Sequence, residues 1–438
     1  VILDLNKTYQ GDCLGLMQGM PDNSIDLIFT DPPYALGSEI IIRPDGKPDY
    51  KKAVDFKNKW EMPTGEFWEA WYKEAFRILK YGGHCLMFGM DRQNFMFKYY
   101  GHLAGFVGKQ SLYWYFISNF PKACDLSRMI EKNLGVEAIG SEKPTFGLSN
   151  KEKGWNTVNN KLMPETQTEL GKKYSGYKYS VAPLKQVVEE IMVFQKPMKT
   201  GSVLHDVLAM ENGDESITCG ALDIDGDRVE IFDKEEYEKK QMSFRNSDTS
   251  KRIWENGKKQ GVNPVESIVS GRYPAQAFLT NTEGILDEQS EESKSNWRKN
   301  KGDHKGCFGN NKPVTTKFIP DDTGGISRIL HKCPYESEDF DLFNYNPKVS
   351  GQEREDSNHP TMKPVKLIIH ILNLFKTPNK QVVLDTFAGS GTIGVGCLYT
   401  KQDFILIEKN PEYIKIIENR IGKIQNQASV FDVLGEQE

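Results

Sequence analysis

The chain has 438 residues and a formal net charge of -5, with a pI of about 6.0. That is room for one large or two ordinary domains and a sizeable core, but the overall charge does not mark a nucleic-acid binder, so any such surface has to be local. Cysteines at 13, 85, 124, 219, 307, 333 and 397 are scattered and include no Cys-x-x-Cys pair, which argues against a disulfide framework or a zinc site and fits a reducing compartment. No apolar run approaches the roughly 20 residues of a membrane span, and no signal-peptide pattern opens the sequence, so no membrane partner is expected.

In chain order, Lys7–Gly11 reads as a strand, closed by Gly11-Asp12. Ile25–Thr30 is a buried-strand pattern that runs into Asp31-Pro32-Pro33-Tyr34. The connection that follows, Ala35–Gly65, is long, and long connections are often lids or binding loops. Phe67–Leu79 has helical periodicity, with Phe67, Trp68, Trp71, Phe76 and Leu79 on one broad face. Strand patterns recur at His84–Gly89, Ser111–Ile117 and Glu190–Gln195. Residues 200 to about 345 are polar and weakly periodic. Within them, Lys239–Lys317 carries 15 Lys/Arg against 9 Asp/Glu, with Phe244, Trp254 and Trp297 interleaved. A basic stretch with aromatics suits nucleic-acid contact, although a solvated insertion has the same composition. Alternation then returns: Val365–Phe375 as helix, Val382–Asp385 as strand, Gly391–Tyr399 as helix, Phe404–Glu408 as strand and Pro411–Ile421 as helix, with Asn410 as its N-cap. This order predicts an α/β fold, a mostly parallel sheet with helices on both faces.

Two constellations carry chemistry. Asp31 to Tyr34 stand at the carboxyl end of a strand, the edge where open α/β sheets bind ligands. The prolines remove two backbone donors and leave carbonyls free to accept. Acceptors beside an aromatic ring make a pocket for a planar base with an amino group. At the other end, Asp385-Thr386-Phe387-Ala388-Gly389-Ser390-Gly391-Thr392 joins a strand to a helix, with Gly389, Gly391 and Gly394 in a G-x-G-x-x-G pattern and Glu408 ending the next strand. That is the layout of a nucleotide-cofactor site, in which the acid accepts from ribose hydroxyls. Asp385 would oppose a pyrophosphate but could bind an ammonium, which favours S-adenosylmethionine over a dinucleotide. Gly11 and Asp12 offer an acceptor for an adenine amino group. His359-Pro360-Thr361-Met362-Lys363-Pro364 precedes a helix, where Thr361, Lys363 and free N–H groups suit a carboxylate.

These motifs, in this order and with Trp114 and Asn119-Phe120-Pro121-Lys122 between them, resemble the DNA amino-methyltransferases of the β arrangement. That family methylates adenine N6 or cytosine N4 and occurs in bacteria and phages. Cys219–Arg228 resembles stretches of bacterial and phage members. The resemblance spans about residues 1–200 and 340–425. It implies a Rossmann-like S-adenosylmethionine-dependent methyltransferase fold of seven strands, one antiparallel, in a circularly permuted motif order. It also implies a division into a catalytic half at 1–199, an inserted target-recognition region at 200–345, a cofactor-binding half at 346–425 and a tail at 426–438. The implied catalytic residues are Asp31, Pro32, Pro33 and Tyr34. The implied cofactor residues are Gly11, Asp12, His359, Thr361, Lys363, Asp385, Phe387, Ala388, Gly389, Ser390, Gly391, Thr392 and Glu408. Trp114, Phe120, Lys122, Arg245, Lys251, Arg252, Trp297 and Arg298 are the candidates for contact with double-stranded DNA. No metal is expected. A homodimer, a cognate restriction endonuclease and a bacterial (or phage-infected host) cytoplasm complete what the resemblance implies. Thr386 departs from the family pattern, where Pro is usual, and Ile393 replaces a common Thr. The acid at Asp31 leans toward adenine over cytosine N4. A non-catalytic DNA-binding protein with the same fold, and a nicotinamide-dependent oxidoreductase, are the readings from other classes.

Overall fold

In a computed structural model, the chain is described at residues 3–34, 39–51, 63–116, 123–136, 140–146, 158–164, 166–180, 183–184, 186–228, 274–280, 331–332 and 362–435. The main sheet comprises β1 (Lys7–Gln10), β2 (Ile25–Thr30), β3 (Leu79–Gly89), β4 (Val107–Gly108), β5 (Leu112–Phe116), β6 (Val188–Gln195), β7 (Ala277–Thr280), β8 (His331–Lys332), β9 (Val382–Asp385) and β10 (Asp403–Glu408). Its order is β1-β10-β9-β2-β3-β6-β5-β7-β8, with β4 paired to β6. The first seven of these form the expected sheet. Only β6 runs against its neighbours β3 and β5. β7 and β8 extend the β5 edge in parallel.

Apolar residues on both faces of each central strand explain the three layers. Leu27, Phe29, Val383 and Leu406 face one core; Ile28, Leu384, Ile405 and Ile407 face the other. The first core is covered by α4 (Val365–Leu374), α5 (Thr392–Thr400) and α6 (Pro411–Gly435). The second is covered by α1 (Cys13–Gln18), α2 (Gly65–Ile78) and α3 (Asp91–Leu103). α2 lies where its periodicity places it. It is capped by Thr64 Oγ1, which accepts from Phe67 N, and buries Trp68, Trp71 and Tyr72 completely. Each such side chain contributes about 1.5–3 kcal/mol by leaving water.

Two of the helices that cover the sheet escape the sequence reading. α1 spans six residues, too few to show a period, and is closed by Arg77, whose Nη atoms donate to the Met17 and Met20 carbonyls. α3 buries Gln93 and Asn94 among its apolar residues, which blurs its stripe. Residues 200–228 join the body as well. A helix at Val203–Glu211 leads to a segment in which Tyr81 N donates to the Ser216 carbonyl and Thr218 N to the Tyr81 carbonyl. His370 Nδ1 lies 3.0 Å from Asp227 Oδ1 and pins the end of this segment to α4.

Helices α1 and α2 follow β1 and precede β3 on one face, and α4 to α6 accompany β9 and β10 on the other. The strand order therefore reverses between β9 and β2, which pair in parallel at Val383–Leu27 and Leu384–Ile28. That is the switch point at which a doubly wound sheet opens a crevice at its carboxyl edge. Asp385 ends one of the two strands and Asp31 follows the other.

Candidate active site

On the β9 side, the loop from Asp385 to Gly391 is held by backbone and side-chain hydrogen bonds together. Ala388 N donates to the Ile407 carbonyl at 2.9 Å, and Gly391 N to the Ala388 carbonyl at 2.7 Å. Glu408 braces the loop from below: its Oε2 accepts from Gly389 N and its Oε1 from Asn410 N, each at 2.8 Å. Gly389 (φ 54°) and Gly391 (φ 76°) take the left-handed conformation that favours glycine. A Cβ at Gly391 would also come within 2.9 Å of Ile417. Phe387 stacks on Trp71 with ring centroids 6.4 Å apart.

Asp385 is 2 % exposed. Its Oδ1 accepts from Thr30 Oγ1 at 2.8 Å and from Phe387 N at 3.0 Å. Burial, with the Asp31 and Glu408 charges adding, pushes its pKa up to about 7. Burial likewise raises Glu408, against the pull of the backbone N–H groups. Three carboxylates thus converge on one edge of the sheet.

On the β2 side, Asp31 is held by side chains. Tyr34 Oη donates to Oδ1 at 2.7 Å, and Lys363 Nζ donates to Oδ2. Lys363 is buried, and its ammonium also lies 3.5 Å from Glu189 Oε2 on β6. Burial lowers the Lys363 pKa, while Asp31 works against that. Burial and the Asp31 charge hold the Tyr34 phenol well above its usual range.

Several expected cofactor groups are engaged elsewhere. Ser390 and Thr392 turn their hydroxyls to Arg420 Nη1 of α6, at 3.2 and 3.1 Å, and the same atom takes the Ser390 carbonyl at 2.7 Å. They fasten the loop to a helix. Asp12 Oδ1 caps α1 by accepting from Gly15 N, while Gly11 N donates to the Glu408 carbonyl and ties the β1 end to the end of β10. Lys363 sits on Asp31. Trp114 is wholly buried, packed on Phe116 at 4.9 Å, so it offers no exposed face to DNA. His359, Thr361, Phe120, Lys122, Arg245, Lys251, Arg252, Trp297 and Arg298 lie outside the described residues.

The unusual Thr386 has a local explanation. Trp71 Nε1 donates to Thr386 Oγ1 at 3.2 Å. A proline here would leave the buried indole N–H without that acceptor. Sequence reasoning missed Trp71, Thr30, Glu189 and Arg420 as parts of the site. Trp71 and Thr30 read as ordinary core, and no local pattern links Glu189 or Arg420 to the motifs.

A nicotinamide dinucleotide fits this edge poorly, because its pyrophosphate would face Asp385 and find the Gly389 N–H already donated to Glu408. A ligand carrying positive charge and a ribose fits the acid cluster. The sequence profile of the N6/N4 DNA methylase family matches residues 25–419, and the chain belongs to that family. Its members depend on S-adenosylmethionine, whose ammonium, sulfonium and ribose are the groups that the carboxylates suit. Over shorter stretches the chain is 34 % identical to the type II methyltransferase M.BamHI of Bacillus amyloliquefaciens, across 91 residues that make up 21 % of this chain and 19 % of that protein. It is 43 % identical to the DNA adenine methyltransferase YhdJ of Escherichia coli across 70 residues, 16 % of this chain and 24 % of YhdJ. These matches thus span a quarter or less of the length of either protein. Among solved structures, the cytosine-N4-specific PvuII DNA methyltransferase aligns with 96 % of this chain and 90 % of its own, at 14 % identity and a TM-score of 0.39.

Proposed function

We propose that the protein is a DNA methyltransferase that moves a methyl group from S-adenosylmethionine to the N6 amino group of a flipped-out adenine. The observation that carries this reading is the position of Asp31 across the β2/β9 switch point from the Asp385–Gly391 loop and its brace Glu408. An amino-group acceptor and a cofactor cradle share one crevice. The local match to YhdJ, itself a DNA adenine methyltransferase, supports adenine as the target.

The reaction follows from the groups present. Bound S-adenosylmethionine supplies an electrophilic methyl group on a sulfonium. Asp385 and Glu408 would hold the positively charged and ribose ends of the cofactor. Extruding the base from the duplex costs a few kcal/mol. The incoming amino group replaces the Tyr34 hydroxyl as donor to Asp31 Oδ1, and the freed ring stacks on the base, contributing about 1–3 kcal/mol. The Pro32 carbonyl accepts the second amino hydrogen. Both contacts draw the nitrogen toward a tetrahedral shape and aim its lone pair at the methyl group. Positioning and stabilisation of the positive charge growing on nitrogen then do most of the work. The methylated nitrogen is acidic and passes its surplus proton to Asp31 or to water, so Asp31 need not be a strong base.

The test is to incubate the protein with unmethylated genomic DNA and methyl-labelled S-adenosylmethionine, digest the DNA and resolve its nucleosides. Label in N6-methyldeoxyadenosine is the expected result. Label in N4-methyldeoxycytidine would overturn the adenine assignment and keep the mechanism. No label in DNA, with cofactor bound, would overturn the reaction and favour a non-catalytic DNA-binding role.

A further inference from the structure

Behind Asp31 lies a second carboxylate that the mechanism above leaves unused. Glu189 is 2 % exposed on β6, the antiparallel strand, opposite Trp114 of β5. Its Oε2 is 3.5 Å from Lys363 Nζ, and that ammonium is ion-paired on its other side with Asp31. The rings of Phe88 and Tyr34 lie 4.5 and 5.6 Å from Nζ. Among the described residues, the titratable groups facing Lys363 are therefore Asp31 and Tyr34 after β2 and Glu189 on β6. Three stretches distant in sequence meet at one buried ammonium.

The charge count of this cluster matters for the chemistry. An Asp31–Lys363 pair alone is neutral, and its ammonium would oppose positive charge growing on a nearby nitrogen. Glu189 offsets that ammonium from behind, so the three groups together carry one negative charge. In a buried site, where water screens poorly, such fixed charges act strongly on a developing cation. A buried lysine also tends to lose its proton, and an opposite charge within about 4–6 Å keeps it charged.

We propose that Glu189 is a positioning residue for methyl transfer: acting through Lys363, it keeps Asp31 oriented and leaves the Asp31–Lys363–Glu189 cluster with one net negative charge. The inference rests on the methyltransferase reading above. Its alternative is a purely structural Glu189, whose loss would change stability and leave the chemistry of the folded enzyme alone.

The experiment measures single-turnover methylation of DNA against pH, cofactor affinity and thermal unfolding for the wild type, Glu189→Gln, Glu189→Asp, Lys363→Met and the Glu189→Gln/Lys363→Met double variant. For Glu189→Gln the expected loss is about tenfold or more in the single-turnover rate, with cofactor affinity unchanged. The alkaline limb of its rate profile should move to lower pH by about one unit, because Lys363 loses a stabilising charge. Glu189→Asp should show a smaller loss and a smaller displacement of the same limb. Glu189→Gln should add nothing once Lys363 is Met, since coupled residues are not additive. A folded Glu189→Gln with wild-type rate and profile, or a full effect in the Lys363→Met background, overturns the proposal. If Glu189→Gln does not fold, Glu189→Asp carries the test, and an unmoved alkaline limb overturns it. A wild type that binds cofactor and DNA yet transfers no methyl group would overturn the methyltransferase reading, and this inference with it.

Discussion

The two sides of the crevice are built by different means. The Asp385–Gly391 loop is braced in good part by hydrogen bonds with a backbone partner, among them the one to Glu408, only 19 residues beyond its partner Gly389. Among the described residues Asp31 is held by side chains, one of them 332 residues away. A backbone-braced loop is set once the chain has folded. A side-chain network can exchange partners as substrate enters. On the proposed reading, the side that takes the cofactor is therefore preformed, and the side that takes the base is arranged to change hands.

Asp31→Ala is the strongest way to sharpen this contrast. It should lower methyl transfer by at least about 10²–10³-fold while cofactor affinity, read by calorimetry, stays near wild type. A matching collapse of cofactor affinity would show that the two sides are one unit. Glu408→Ala should do the reverse first. Removing the acceptor for the Gly389 and Asn410 N–H groups loses about 1.5–3 kcal/mol of charged hydrogen bonding, seen as a cofactor affinity at least about tenfold weaker.

Asp385 gives the cradle a pH signature. With its pKa raised to about 7, it is partly protonated near neutrality, and a cationic ligand favours its charged form. Cofactor binding should release a proton, so affinity should rise with pH through about 7, and Asp385→Asn should flatten that slope. The same shift makes a stability prediction. The folded form holds this proton above the ordinary aspartate range, so this group's contribution to stability of the free protein falls as pH climbs from about 4 to about 7. The midpoint of thermal unfolding, compared between wild type and Asp385→Asn, checks the sign. The smallest effect is expected for Trp71→Phe, which loses one hydrogen bond to Thr386 and about 1 kcal/mol of stability, with methyl transfer retained.

The same contrast explains what was legible in the sequence. β2 and β9 fall where their apolar runs place them, and Asp31 and the glycine loop follow at their carboxyl ends, because strand, turn and acid are neighbours along the chain. Glu408 was legible for the same reason. The attachments were not. Nothing near Lys363 indicates that it reaches Asp31 rather than a ligand carboxylate, and a Ser-Gly-Thr run before a helix does not reveal an arginine 28 residues further on. Thr386 read as a departure from a family pattern until its partner Trp71, 315 residues earlier, was in place. Local geometry repeats with a period that a sequence displays; side-chain partnerships between distant elements have none.

Because β2 pairs directly with β9, the crevice is closed by the two ends of the fold. Among the described residues, the interval between 228 and 362 meets the sheet at Ala277–Thr280 and His331–Lys332, both beyond β5 and away from the switch point. Lengthening a loop whose ends are already fixed adds little closure entropy, about 0.6 kcal/mol for each doubling. The part of that interval before the His359–Pro364 motif is consequently free to change in length on a scaffold that stays the same. A lineage of such chains could exchange that part as a cassette and keep the same crevice.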